Sequence, residues 1–436
     1  MKVMKFGGTS VGSAQRMKNM VALVAAEGEV LVVLSAMSGT TNSLIGISQS
    51  IKENETANAR KQIDDLEVKY ADTARELLSD SVLLAEANDK LNEIFCSLRS
   101  YIDKPFSIKE EKEIVAFGEK LSTMLVSLYM KEKGLDAILL DATEFMRLKK
   151  DGEPDQAFIK ENIKKIINDN PKHKIYLTQG FICKNADGEI DNLQRGGSDY
   201  TASLLGAALP ATEIQIWTDI DGMHNNDPRF VEGTSPVNEL HFEEAAELAY
   251  FGAKILHPTC VLPAKHANIP VRLLNTMEPE AIGTRIYNTE PTHKIKAVAA
   301  KDNITAIKIK SSHMLLAYGF LRKVFEIFEK YQTSIDMITT SEVGVSVTID
   351  NERNLKHIVA ELSELGNVTV DREMVIVCVV GDLEWQNRGF EADVVNALKE
   401  IPVRMISYGG SNYNISILIR KDDKIKALKL LSKHLF

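Results

Sequence analysis

A lysine just ahead of two glycines opens the chain. In residues 1–12, MKVMKFGGTSVG, Lys5 leads through Phe6 into Gly7 and Gly8, with Thr9 and Ser10 behind them. Backbone without Cβ atoms can approach an anion closely, nearby hydroxyls and loop N–H groups can donate to it, and one ammonium group can neutralise it. Such a turn is suited to phosphate. The order G-x-x-x-x-G-K-[ST] is absent, as is G-x-G-x-x-G, and the same letters also fit an ordinary strand-to-loop turn.

Further stretches bear on the choice. In VVLSAMSGTTN, Ser35, Ser38, Thr40 and Thr41 follow an apolar run directly, the place where doubly wound sheets bind ligands. A polar turn with Asn42 as helix cap fits the same letters. In LQRGGSDYTASLLG, Arg195 precedes Gly196 and Gly197, and Ser198 and Asp199 open a helix. A guanidinium beside the free N–H groups of a helix start can clamp a carboxylate, whereas plain capping explains only Ser198 and Asp199. The loop IWTDIDGMHNNDPR gathers Thr218, Asp219, Asp221, Asp227 and Arg229, which could serve a ribose, a magnesium-linked phosphate and its charge. In AYFGAKILHP, Lys254, followed by Ile255, offers a second cation. At Phe117-Gly118-Glu119-Lys120 a helix is expected to begin, with a carboxylate near a glycine that lets the chain bend toward a ligand.

With 436 residues, 44% hydrophobic and 26% charged, the chain should form two or three globular units. The net charge of -9 argues against a nucleic-acid partner. No apolar run reaches the roughly 18 residues of a membrane span, so no membrane role and a cytoplasmic location are expected. Cys96, Cys183, Cys260 and Cys378 stand far apart, without the spacing of a disulfide framework or a metal site.

From residue 2 to about 288, the runs VLVVLSA, AILLDA, KIYLTQGFI, EIQIWTDID and IPVRLLN alternate with helical stretches, as a parallel sheet buried on both faces requires. Residues 54–98 are charged, with leucines and alanines at helical spacing, and predict helices laid outside the sheet over a cleft. Beyond 291 the texture changes to short strands at 305–309 and 343–349 around a helix at 320–331. Strands at 374–381 and 415–419 and helices at 392–398 and 424–435 follow, which predicts two small α+β modules.

Taken in order, KFGGTSV, LSAMSGTTN, FGEKLS, RGGSDYTA, WTDIDG with DPR, and FGAKILHP resemble the aspartate kinases of the amino-acid kinase family, and SIDMITTSE and ISYGGSNYN resemble their paired ACT modules. The resemblance covers nearly the whole chain. It implies the α/β amino-acid kinase fold, an α/β/α sandwich on a mostly parallel sheet, over 1–290. Two α+β, ferredoxin-like ACT regulatory domains then follow at 303–375 and at 294–302 with 376–436.

The activity implied is monofunctional: ATP-dependent phosphorylation of the β-carboxylate of L-aspartate, the entry step toward lysine, threonine and methionine. Lys5 would touch the transferring phosphoryl group, with Asp199 orienting it, and Gly7, Gly8 and Thr9 would donate to phosphate oxygens. Ser35 and Thr41 would orient the β-carboxylate, Glu119 would take the α-ammonium, and Arg195, with Gly196, Gly197 and Ser198, would take the α-carboxylate. Thr218 and Asp219 would lie near base and ribose, and Arg229, Lys254 and Ile255 near the phosphates. Relatives usually carry tyrosine where His224 stands beside the nucleotide. Magnesium would come chiefly with ATP, and no protein metal site is expected.

Feedback by L-lysine, with L-threonine as the other candidate, is implied at an inter-chain ACT site. Its matching positions are Met314, Ala317, Phe320, Leu321, Ser334, Asp336, Ser341 and Glu342, and Ala317 replaces a serine of some lysine-inhibited relatives. Such a site implies a homodimer, which could pair further into a homotetramer. Two other readings remain open on sequence: a different amino-acid kinase, such as a glutamate 5-kinase, or a catalytically silent amino-acid sensor.

Overall fold

The computed structural model describes residues 1–193, 196–252, 258–290, 292–311 and 318–436. The chain divides into two compact units, 1–223 with 255–288 and 224–254 with 289–436.

In the first unit the strands lie in the order Ala137–Leu140, Ile175–Gln179, Val30–Leu34, Lys2–Phe6, Ile214–Thr218, Val271–Asn275 and Thr284–Tyr287. All neighbours are parallel except the last pair. Every residue of VLVVL and IYLTQ is buried, as strands covered on both faces demand. Lys2–Phe6 lies mid-sheet. The chain adds its next strand on one side, and later places Ile214–Thr218 on the other. The carboxyl end of this first strand is therefore a topological switch point, where a crevice opens.

The charged stretch forms the helices Thr56–Leu77 and Ser81–Arg99, which pack against Thr40–Lys52 and Ile108–Glu132. Their buried stripes, Ala59, Ile63, Leu66, Tyr70, Ala74 and Leu77 on one and Leu83, Ala87, Leu91, Phe95 and Leu98 on the other, keep the helical period. One expectation fails here. Residues 117–120 do not begin a helix; they lie inside Ile108–Glu132, whose start is set by the capping box of Ser107 and Glu110. Gly118 is not a bend either. A Cβ there would stand 2.9 Å from the Ala36 Cβ and 3.3 Å from Leu44 Cδ1, so the glycine lets the helix press against the residues after Val30–Leu34. Two caps also differ from expectation: Gly39, not Asn42, caps Thr40–Lys52, and Gly196 caps Gly197–Ala208 without a side-chain bond.

The second unit is built on an antiparallel sheet ordered Ile338–Ser341, Gly344–Ile349, Ile295–Lys310, Asn367–Gly381, Asn414–Arg420, Met405–Ser407. Phe320–Lys330 and Leu355–Ser363 cover one half, Phe390–Ala397 and Lys424–Leu435 the other, each over its own apolar core. The short strands expected at 305–309 and 374–381 are the ends of two long ones. These pair along their length, with the register shifting between Ile295 and Ala297 and again around Ile304, near Asn303 and Glu373 with φ of 61° and 53°. Residues 224–252 pack with this unit: Asn226 Nδ2 donates to the Leu428 carbonyl at 3.0 Å, and Val231 enters the core of Val375 and Leu428.

Gly118→Val should crowd Ala36 and Leu44 and lower stability by about 1–3 kcal/mol, read as a drop in the thermal midpoint. An unchanged midpoint would show that the contact is slack.

Candidate active site

Three loops meet at the switch point. The turn after Lys2–Phe6 is held when Gly7 N–H donates to the Trp217 carbonyl at 3.0 Å and Ser10 N–H donates back to Gly7 at 2.9 Å. Phe6 stacks on Trp217 with centroids 5.8 Å apart, which fixes this turn against the strand Ile214–Thr218. The second loop follows Val30–Leu34. Its Ser38 N–H donates to the Gly8 carbonyl at 3.0 Å, and a Cβ on Gly8 would lie only 2.8 Å from the Ala36 carbonyl oxygen. Only glycine allows this approach. The third element is the N-terminus of Gly197–Ala208, whose cap Gly196 has φ 81°.

Together they line a cavity of about 360 Å³ that contains Lys5, Gly8, Ser35, Thr41, Glu119, Gly196, Gly197, Ser198 and Asp199. Gly7 and Thr9 belong to the same turn, and Thr218 with Asp219 sits at the carboxyl end of the adjacent strand, its hydroxyl donating to Asp219 at 3.1 Å. Arg195, Lys254, Ile255, Met314 and Ala317 lie outside the described residues.

A buried ion pair and a buried carboxyl define the cavity. Lys5 Nζ is 2.6 Å from Asp199 Oδ1, with both side chains nearly buried, so the ammonium is aimed by a carboxylate on the helix Gly197–Ala208. Glu119 is 4% exposed. Its Oε1 accepts from Ala36 N–H at 3.2 Å, but its Oε2 is buried with no hydrogen-bond partner among the described residues. Burial pushes this carboxyl up to about 8, so in the ligand-free cavity it is protonated at neutral pH. Among the described residues no cation pairs with this carboxyl. An ammonium group brought by a ligand would let it ionise.

Phe181 also lines the cavity, and nothing in the sequence marks it. It holds φ 66°, unusual for a bulky residue, while its N–H donates to Thr201 Oγ1 at 3.1 Å. Its ring stands where a Gly197 Cβ would be, 2.6 Å away, so the helix N-terminus and this strained residue fit each other.

Other expected residues belong to the second unit. His224 Nδ1 lies 2.9 Å from Thr234 Oγ1. Arg229 forms a two-pronged pair with Asp227, with Nη2 at 2.6 Å and Nε at 2.9 Å, and this raises its already high pKa. Phe320 and Leu321 start the helix Phe320–Lys330, and Ser334, Ser341 and Glu342 are exposed. Asp336, one of the positions matching an effector site, already holds an ammonium: its Oδ1 accepts from Lys301 Nζ at 2.7 Å and from Tyr250 OH at 2.8 Å. Its Oδ2 remains buried and unpartnered among the described residues, and burial raises its pKa. No helix among the described residues is long and apolar enough to cross a membrane.

The profile of the Amino acid kinase family matches residues 1–275, and that of the ACT domain matches residues 377–435. Lysine-sensitive aspartokinase 3 of Escherichia coli is 34% identical over 100% of this chain and 99% of its own. The solved structure of E. coli aspartokinase III with aspartate and ADP superposes with a TM-score of 0.88 at 33% identity, over all of both chains. That of the same enzyme with lysine and aspartate gives 0.81, also at 33% identity and with full coverage of both. Likeness at this level, running through the whole length of both chains, makes this protein a member of the amino acid kinase family and, within it, of the aspartokinases.

Proposed function

We propose that the chain transfers the γ-phosphoryl group of ATP to the β-carboxylate of L-aspartate, giving 4-phospho-L-aspartate and ADP. The observation that carries this reading is a single cavity holding a cation beside a glycine turn and a buried carboxyl with one oxygen unpartnered among the described residues. A carboxylate oxygen of aspartate attacks the γ-phosphorus as the bond to the β-phosphate oxygen breaks, and no proton needs to move because the nucleophile is already ionised. The protein's task is alignment and charge neutralisation.

Lys5, aimed by Asp199, meets the transferring group, and Gly7, Gly8 and Thr9 donate to phosphate oxygens. Ser35 and Thr41 orient the β-carboxylate. Glu119 takes the α-ammonium, and Arg195 with the N–H groups of Gly196, Gly197 and Ser198 takes the α-carboxylate, which decides which end of aspartate faces ATP. Thr218, Asp219 and His224 serve base and ribose, and Arg229, Lys254 and Ile255 the polyphosphate; in the ligand-free chain Arg229 is held by Asp227. Magnesium would be carried chiefly by the nucleotide, spreading positive charge over its oxygens.

L-lysine, bound by the E. coli relative, is the expected feedback effector, at an inter-chain site containing Met314, Ala317, Phe320, Leu321, Ser334, Asp336, Ser341 and Glu342. The Oδ2 of Asp336, unpartnered among the described residues, is a prepared acceptor for its ammonium. A cytoplasmic homodimer, or a tetramer of such dimers, accompanies this reading. The ACT modules would occupy 303–375 and 294–302 with 376–436.

The direct test supplies ATP, magnesium and L-aspartate and traps the acyl phosphate with hydroxylamine, with and without L-lysine or L-threonine. Hydroxamate that falls on adding lysine is expected; hydroxamate from L-glutamate alone would replace the substrate, and none from either would leave a sensor.

Glu119 adds a pH signature. Aspartate needs it ionised, so aspartate KM should fall by up to about tenfold per pH unit as pH rises toward about 8. The ligand-free fold should move the other way, losing stability from the ordinary carboxylate range up through about 8, because the folded protein favours the protonated form. Glu119→Gln should raise aspartate KM about tenfold or more and flatten this profile; a KM still falling with pH would assign the titration elsewhere.

Asp336→Asn should raise the lysine concentration for half-inhibition about tenfold or more while uninhibited turnover persists. Unchanged inhibition would move the ammonium site off Asp336.

A further inference from the structure

The loop of residues 35–39 carries the Ser35 hydroxyl, leads into Thr41 in the first turn of Thr40–Lys52, and presses its backbone on Gly8. Its start is held where Ser35 N–H donates to the Phe6 carbonyl at 3.1 Å and the Ser35 carbonyl accepts from Ser122 Oγ at 2.8 Å, whereas its tip at Ser38 lies beyond any strand. Loop carbonyls without a ladder need other donors. At Ser38 the N–H is taken by Gly8, and the carbonyl receives Lys69 Nζ at 2.9 Å, from the helix Thr56–Leu77. The next residue on that helix repeats the grip: the hydroxyl of the fully buried Tyr70 lies 3.0 Å from Thr40 Oγ1. Tyr70 is locked against Phe95, with ring centroids 6.3 Å apart, so its hydroxyl is a fixed point.

Lys69 differs from an ordinary surface lysine. Among the described residues no carboxylate pairs with its ammonium, although Asp65 lines the same groove, and the nitrogen lies 4.0 Å from where a Gly39 Cβ would be. Partial burial lowers its pKa. An ammonium group kept half-buried for one backbone carbonyl is costly for a merely solvated face.

We propose that Lys69 is a positioning residue for phosphoryl transfer: by holding the Ser38 carbonyl it pins the substrate loop between helix Thr56–Leu77 and Gly8, and so sets where Ser35 and Thr41 present the acceptor carboxylate. The Ser38 backbone is then tied on both faces, its N–H to the glycine turn and its carbonyl to this helix. Releasing one face lets the acceptor hydroxyls drift while the glycine turn, bonded separately to the Trp217 carbonyl, keeps its place. This inference rests on the reading of the cavity as an aspartate kinase site.

The test compares Lys69→Met, Lys69→Arg and the wild-type chain by steady-state kinetics and thermal midpoint. Lys69→Met should lose about tenfold or more in kcat/KM for aspartate, mainly through KM, while the KM for ATP shifts by less than about twofold. Lys69→Arg, whose guanidinium can still donate to the carbonyl, should recover most of the loss. A role confined to folding would instead lower the midpoint and the apparent kcat and leave both KM values alone. That result, an aspartate KM within about twofold of wild type in Lys69→Met, or no recovery in Lys69→Arg, would overturn the proposal. Absence of aspartate turnover in the wild-type chain would count against the kinase reading itself.

Discussion

The approach of Gly8 to the Ala36 carbonyl governs the first unit. Two parallel strands end side by side, and the loops that leave them must turn over the same spot without colliding. A side chain on Gly8 would force the Ala36 peptide away by several tenths of an ångström. Because the Ser38 N–H reaches Gly8 across the same gap, that peptide would move with it. Behind the loop, Gly118 repeats the device by allowing a helix to lie flat against Ala36. The cavity is thus shaped by what glycine omits, and charged groups are then set into a frame that is already rigid.

Those charged groups follow one electrostatic rule in both units. A carboxylate placed out of water is costly unless a cation or donors satisfy it. Glu119 and Asp336 each have one oxygen satisfied and one buried without a partner among the described residues. In each case burial outweighs the favourable contacts and raises the pKa. Asp336 meets Lys301 on its satisfied oxygen, as Asp199 meets Lys5 and Asp227 meets Arg229, whereas Glu119 meets no cation among the described residues. The contrast separates carboxylates that hold a neighbouring side chain from a carboxyl left waiting for a ligand.

Residues that act through their own chemical type were legible in the sequence: Lys5 before two glycines, hydroxyls after an apolar run, and glycines ahead of Ser198 and Asp199 all come together in the cavity. The parallel sheet was legible for the same reason, because strands buried on both faces must be written in continuous apolar letters. What escaped depends on distance in the chain. Phe181 is an ordinary letter until its φ is known, and Lys69 is one lysine among many in a charged stretch until Ser38 lies beneath it. Glu119 was placed at a helix start because Gly118 suggests a break, whereas the close approach of Ala36, some 80 residues away, supplies the reason for that glycine. The short strands expected in the second unit were underestimated because Asn303 and Glu373 interrupt the alternation without ending the ladder.

The pairing of Ile295–Lys310 with Asn367–Gly381 has a further consequence. Each strand gives one half to one apolar core and the other half to the second. No linker therefore separates the two modules. A protease would find no hinge there to nick, and a fragment cut to carry only one of them would expose two truncated strands with raw edges. The two cores should melt as one cooperative block and exchange their central amide protons at a common rate. In evolutionary terms the pair would be inherited or lost whole.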